Sequence, residues 1–408
     1  MSEPKSVLEP AEPSPPAAPP RGASGKRGIV LSGWHGHENA GDDATLVQFL
    51  RELSPDGDPP VTVLCEQPER IEATFGVPSR YHYETVGLHG LTHLLKGRLG
   101  AHFSLLRSSR LFALGGGSLM RDNTTWHNLM RVIDELFLAR LLGCKTALYA
   151  VGVGPFRTRL GRFLIGRAAA SCDLVTVRDE NSKSLLVGLG LPAERVHVVA
   201  DPGFLLEAVP VRDEGLLART RLPGATALFP SLGFIEDGAD LSHVAPLARA
   251  LDALHERRGL VYVSLPMRRT EAAEELDDVH VTELVRREMR HKDALHVHRG
   301  ALSPGELKWL AGQFPLAITV RLHAMIFALA ERTPVVAIGY EPKVRNVLHS
   351  FGLSEWLVPQ DDRLEAALVE RVEQALERSA EIVAHIDGEL PSTLTAARRT
   401  FELLRELL

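Results

Sequence analysis

The amino-acid sequence predicts an α/β protein of two parallel-sheet domains facing a central cleft. At 408 residues the chain is too long for one ordinary core and fits two domains with a tail to spare. Short apolar, β-branched runs recur along it, and amphipathic stretches of helical period separate most of them. These runs are apolar throughout instead of alternating, as expected for strands covered by helices on both faces, which is the arrangement of a parallel sheet.

In order along the chain, residues 1–26 are rich in Pro, Ala, Ser and Glu and too poor in large apolar residues to offset their ordering entropy, so a disordered arm is expected there. From Gly28 the runs GIVLSG, VTVLCE, RLFALGG, KTALYAVG, LVTVRD and RVHVVADP read as strands of a first domain over residues 27–207. A charged stretch with the Pro223-Gly224 pair follows, and strands then resume with ALFPSLGF, LVYVSLP, ALHVHRG, LAITV and PVVAIGY, a second domain over residues 208–360. Residues 361–408 read as C-terminal helices. Two such Rossmann-like halves would bind ligands at the carboxyl ends of their strands, so the residues just after each strand are the candidates for chemistry. No internal repeat is evident beyond this shared layout.

Composition narrows the function classes. Apolar residues make up 45% and charged residues 24%, the balance of a packed globular protein. The net charge of −6 supplies no long-range attraction for nucleic acid, so an anionic ligand must be held by a local cluster of cations. Cys65, Cys144 and Cys172 lack metal or disulfide spacing and read as small core residues of a protein in a reducing compartment. There is neither a secretory-signal pattern nor an apolar stretch long enough to span a bilayer. The expected location is the cytoplasm, with room for peripheral contact at the inner face of the membrane.

The most informative segment is LAITVRLHAMIFALAERTPVVAIGYEPKV, which reads strand, junction, helix, strand. Arg321 and His323 sit where the strand becomes a helix, and Lys343 follows the next strand. Parallel strands end on one edge, so the three converge on one ligand, and the helix N-terminus adds N–H groups and positive potential. The bland alternative makes Arg321 a strand cap and His323 a satisfied core residue. In LFALGGGSLMRD, Gly115, Gly116, Gly117 and Ser118 follow a strand; close ligand approach and mere packing are both open readings, and neither the dinucleotide nor the phosphate-loop fingerprint is matched. The loop GWHGHENAGDDATLVQFL places Asn39, Gly41, Asp42 and Asp43 at a helix start. Paired carboxylates repel phosphate, so this loop should face sugar hydroxyls, with Asp42 either a base or the helix cap. Arg178 ends another strand as a second anion ligand or as an ion-pair partner of Asp179 or Glu180. Asp201 precedes Pro202 as a substrate contact or the acceptor of an Asx turn.

In order along the chain, NAGDDA, GGGSLMRD, YAVGVGP, VTVRDENS, VVADPGF and RLHAMIFALAERTPVVAIGYEPKV resemble the polysaccharide pyruvyl transferase family, from about Gly28 to about Gly352. The resemblance implies a GT-B-like architecture and transfer of a pyruvyl group from phosphoenolpyruvate to a sugar of a polysaccharide or glycan precursor, closing a ketal on two hydroxyls and releasing phosphate. It implies no cofactor and no metal beyond phosphoenolpyruvate as co-substrate. On this reading Arg321, Lys343 and Arg178 bind the donor, Glu341 tunes the charge beside them, His323 protonates the methylene carbon and Asp42 is the base. Asn39, Gly41, Gly115, Gly116, Gly117, Ser118 and Asp201 form the acceptor side or its backbone cradle. The sequence departs from the family with Glu341 where Asp is frequent, and with Arg268 and Arg269 where Gln or His is frequent, so acceptor recognition is expected to differ. His35 and His37 are two histidines only, too few for a metal site. The competing readings are a GT-B glycosyltransferase using a nucleotide-sugar donor and a non-catalytic glycan-binding protein.

Overall fold

The apolar runs form two parallel sheets. Strands β1 (Gly28–Ser32), β2 (Val61–Cys65), β3 (Ser79–Tyr81), β4 (Ser109–Gly115), β5 (Lys145–Val151), β6 (Leu174–Val177) and β7 (Val196–Val198) build a seven-stranded sheet in the order β3-β2-β1-β4-β5-β6-β7. The second half begins with β8 (Ala225–Phe229) and a small antiparallel pair, β9 (Gly233–Ile235) and β10 (Gly238–Asp240). It continues through β11 (Val261–Ser264), β12 (Leu295–Val297), β13 (Ala317–Thr319), β14 (Val335–Ile338) and β15 (Leu357–Val358). With β8 these five form a six-stranded sheet ordered β12-β11-β8-β13-β14-β15. Strand order reverses between β1 and β4 in the first sheet and between β8 and β13 in the second, so each half has a topological switch point. The structure, a computed structural model, describes residues 27–83, 98–122, 126–231, 233–235, 238–270, 277–339 and 342–408. The expected N-terminal arm and Glu341 lie outside the described residues.

The helices that position the site and its surroundings are α1 (Ala40–Leu53), α2 (Trp126–Leu141), α3 (Arg159–Ser171), α4 (Glu180–Gly188), α5 (Asp278–Glu288), α6 (Leu322–Ala330), α7 (Pro342–Ser350), α8 (Leu364–Glu377) and α9 (Ser379–Arg405). Helix α1 is apolar on two sides: Leu46, Phe49 and Leu53 enter the N-terminal core, whereas Ala40 and Ala44 pack into the core of the other half. Small side chains there let α1 approach α6 closely. Helix α9 ties the halves a second time. It starts on the C-terminal half with Ile382, Ile386 and Leu390 and ends in the N-terminal half with Phe401, Leu403 and Leu404. There the Phe401 ring lies 5.7 Å from that of Tyr149, and the Thr400 hydroxyl meets that of Thr176 at 3.1 Å.

The chain passes between the halves through a short 3-10 turn, Pro202–Leu205. Buried Lys308 fastens this connection by donating to the carbonyls of Phe204 and Leu206 at 2.9 and 2.6 Å. Burial pushes its ammonium down to about 8, against the pull of Glu331. The three cysteines are free and buried. Among the described residues no helix is long and apolar enough to cross a membrane.

Candidate active site in the interdomain cleft

The cleft between the halves holds a cavity of about 1170 Å³. Asn39, Asp42, Gly117, Ser118 and Arg178 line it from the N-terminal half, and Arg268, Arg321, His323, Lys343 and Asn346 from the other. The two halves touch across it through backbone: Ala40 donates to the Met267 carbonyl at 2.8 Å, and Asn39 bridges Arg268 in antiparallel fashion. Asn346 on α7 completes the contact by donating to Asp179, the N-cap of α4, at 3.0 Å.

Arg321, His323 and Lys343 converge because β13 and β14 end on the same edge. Arg321 is the residue before α6, and its guanidinium meets the buried Asp278 at 2.5 Å. The other oxygen of Asp278 accepts from the backbone of Met267 and Arg268 at 3.0 and 2.9 Å, so one carboxylate fixes both arginine-bearing loops. Burial raises the Asp278 carboxyl, with Arg321 pulling it back. Arg268, read from sequence only as a departure in acceptor recognition, belongs to the cavity wall beside Arg321. Its own guanidinium is held below the usual range by burial and then by Arg321, with Asp278 and Asp42 opposing.

Arg178, at the end of β6, does not pair with its neighbours Asp179 or Glu180. It donates to Asp201 at 3.2 Å and to the Ser118 hydroxyl at 2.7 Å. Asp201, expected on the acceptor side, lies instead behind the wall, because its carboxylate is turned inward to three partners. It accepts from Gly203 N at 2.9 Å as an Asx turn and from Arg178, and its Oδ2 stands 3.6 Å from His323 Nε2. That last distance is an ion-pair distance too long for a hydrogen bond. Burial works to raise the Asp201 carboxyl, but the facing His323 and Arg178 hold it well below the usual carboxylate range.

On the opposite wall Asn39, not Asp42, caps α1: its Oδ1 accepts from Gly41 N at 3.1 Å, while its amide donates to Asp42 at 2.8 Å. Asp42 is thereby aimed at the cavity. Burial pushes its carboxyl up to about 6, partly offset by His323, Lys343 and Arg178. Its neighbour Asp43, expected to share the sugar-facing role, turns away to Arg70 at 2.7 Å.

Gly41 is not a wall residue either; a Cβ there would fall 2.0 Å from His323 Nδ1, so its role is to let α1 and the imidazole meet. Gly115 and Gly116 are likewise packing residues, closed against Tyr149 and against Thr45 with His35. Only Gly117 and Ser118 of that turn reach the cavity. His37 lines it with Trp34, ring centroids 4.6 Å apart, and burial pushes the imidazole down to about 4. His35 is fully buried and pushed down to about 3 by burial and by His82.

Two open parallel sheets with a cleft between them define a GT-B-like protein. The fold is that of MnaA of S. aureus, solved with UDP (12% identity, TM-score 0.60, 89% of this chain on 91% of that one). It is also that of Anabaena HepE, solved with UDP-glucose (12% identity, TM-score 0.60, 93% on 100%), and of a glycosyltransferase from Rickettsia africae (11% identity, TM-score 0.61, 94% on 98%). At such identities the likeness concerns the fold alone. No curated protein matches the chain. The chain belongs to the polysaccharide pyruvyl transferase family, which it matches over residues 39–342. It is therefore an enzyme of pyruvyl transfer in polysaccharide biosynthesis, with a glycan as acceptor.

Proposed function

We propose that the enzyme takes its pyruvyl group from phosphoenolpyruvate and closes it as a ketal on two hydroxyls of one sugar. One observation carries this reading. Three guanidinium groups, an ammonium and an imidazole, those of Arg178, Arg268, Arg321, Lys343 and His323, line one cavity. Such a convergence of cationic groups suits a small ligand with several anionic oxygens. Phosphoenolpyruvate offers a carboxylate and a phosphate.

Arg321, Arg268, Arg178 and Lys343 then hold the two anionic groups, and His323, backed by Asp201, delivers a proton to the methylene carbon, which becomes a methyl group. A sugar hydroxyl adds to the adjacent carbon and gives its proton to Asp42. The carbon–oxygen bond to phosphate breaks, the second hydroxyl closes the ring, and its proton leaves with phosphate. One phosphoenolpyruvate and two hydroxyls yield one ketal and one phosphate. A nucleotide-sugar donor suits the cavity less well: among the described residues, the C-terminal half lines it with cations, amides and aliphatic groups instead of an acid for ribose and an aromatic ring for a base.

The test combines purified protein with phosphoenolpyruvate and a panel of glycan and lipid-linked acceptors, reading phosphate release and the mass of the product. Arg321→Gln should raise KM for phosphoenolpyruvate at least tenfold, and His323→Gln should abolish turnover while leaving donor binding within a few-fold. Sugar transfer from a nucleotide sugar, or a His323→Gln variant with full turnover, would reject the proposal.

A further inference from the structure

Helices α2 and α3 follow β4 and β5, cross the sheet in the same sense and lie side by side on one face of the N-terminal half. Such helices bury one side and offer a polar one to water. Helix α2 buries Leu129, Val132, Leu136 and Ala139, yet its outward side is apolar as well. Trp126, Phe137 and Leu141 are 48%, 64% and 68% exposed. At 100° per residue all three fall within about 60° of one another. Helix α3 adds Leu160 and Phe163, 56% and 62% exposed. Half of the ten large apolar side chains exposed among the described residues thus lie on this one pair of helices. A clustered apolar surface of this kind marks an interaction site.

Between residues 121 and 171 the exposed charges are of one sign, and the nearest acid beyond them, Asp173, pairs with Arg140 and Lys145. Arg157, Arg159, Arg162 and Arg167 are exposed, whereas the acids between residues 121 and 171, Asp122, Asp134 and Glu135, are all buried. On a chain of net charge −6 this is a local reversal of the overall field. Aromatic and aliphatic side chains set among arginines suit a surface with an apolar interior and anionic headgroups, where the guanidinium groups stay at the phosphate level. A second copy of this chain would instead bring arginines against arginines. The face also adjoins the cleft: Phe156, in the loop before α3, and Arg162, on α3 between Leu160 and Phe163, line the cavity.

We infer that the outer face of α2 and α3 is a docking surface for an anionic lipid bilayer, which sets the N-terminal wall of the cleft beside a lipid-carried glycan. The lipid-carried acceptor rests on the pyruvyl-transfer reading; the docking surface does not.

The experiment is flotation of the full chain with vesicles of phosphatidylcholine alone or with about 30% phosphatidylglycerol, a proxy for an anionic leaflet. Binding to the anionic vesicles should be at least tenfold stronger and should weaken as salt rises. Phe137→Ser with Phe163→Ser, and separately Arg159→Gln with Arg167→Gln, should each reduce it at least tenfold with unchanged melting temperature. The inference is overturned by a chain that floats with neither vesicle, by variants that bind as the parent does, or by a dimer that the Phe variants dissociate while no vesicle is bound. Turnover on a water-soluble acceptor is read in parallel: its loss with vesicle binding intact counts against the reaction and not against the docking surface.

Discussion

Gly41→Ala is the sharpest probe of the site because it changes one methyl group in the N-terminal half and strikes a side chain of the other half. An ideal Cβ at residue 41 stands 2.0 Å from Nδ1, 2.4 Å from Cγ and 2.8 Å from Cβ of His323. Since non-bonded heavy atoms settle near about 3.5 Å, the imidazole must retreat by roughly 1.5 Å. Overpacking of this kind destabilises by about 1–3 kcal/mol, and the better helix propensity of alanine returns up to about 1 kcal/mol. The expected net loss is about 2 kcal/mol or less. Catalysis should suffer far more, because a misplacement of about 1 Å at a reacting group costs on the order of 100-fold in rate. The assay pairs phosphate release from phosphoenolpyruvate with thermal unfolding, expecting turnover down about 100-fold and Tm down by a few degrees. Gly388→Ala is the control: nothing lies within 4 Å of a Cβ there, so it should keep full activity and gain about 0.5–1 kcal/mol. Turnover of Gly41→Ala within threefold of the parent would refute the contact between α1 and His323 and the assignment built on it.

Burial pushes the Asp42 carboxyl up to about 6 in the ligand-free protein, and a base must be ionised to accept a proton, so kcat/KM should fall as pH drops through about 6. Asp42→Asn should lower kcat by about 10²–10⁴-fold and abolish that acid limb; a variant that keeps it assigns the titration to another group. His35 has its folded pKa depressed to about 3 from 6.5. Between those values the unfolded chain binds a proton that the folded one refuses, so its contribution is fully present above about pH 6.5 and is lost towards pH 3 at up to about 1.4 kcal/mol per pH unit. Urea midpoints measured from pH 7 to pH 4 should therefore slope less steeply in His35→Gln than in the parent, whatever the variant's stability at pH 7; equal slopes would contradict this reading.

What the sequence made legible follows from strand exits. Arg178, Arg321, His323 and Lys343 each lie just beyond a buried strand, and a parallel sheet gathers such exits on one edge, so their shared cavity was readable from periodicity and order alone. Arg268 obeys the same rule, four residues after the end of β11, and that exit was the signal that could have found it. Asp278 offered none, because its partners are backbone groups of a preceding loop and an arginine 43 residues away. Gly41 reads as a helix-start glycine in any local window; its requirement comes from a ring 282 positions later, set against it by the docking of the two halves. The glycine turn divides for the same reason. Gly115 and Gly116 answer to β5 and His35, which no spacing rule connects to them, while Gly117 and Ser118 answer to the cavity.

The placement of the acids shows how a chain of net charge −6 can gather cations in one cavity, as the proposed anion site needs. Bare arginines facing one another across a cavity would repel and splay. Here Arg321 and Arg178 are each tethered by a carboxylate buried behind the wall, Asp278 and Asp201, so their positions are set before any ligand arrives. Asp201 goes further than Asp278, because it faces both Arg178 and His323. On the proposed mechanism the cation that would grip the donor and the imidazole that would protonate it share one counter-charge, so a shift of either guanidinium or ring is felt by the other through the Asp201 carboxylate.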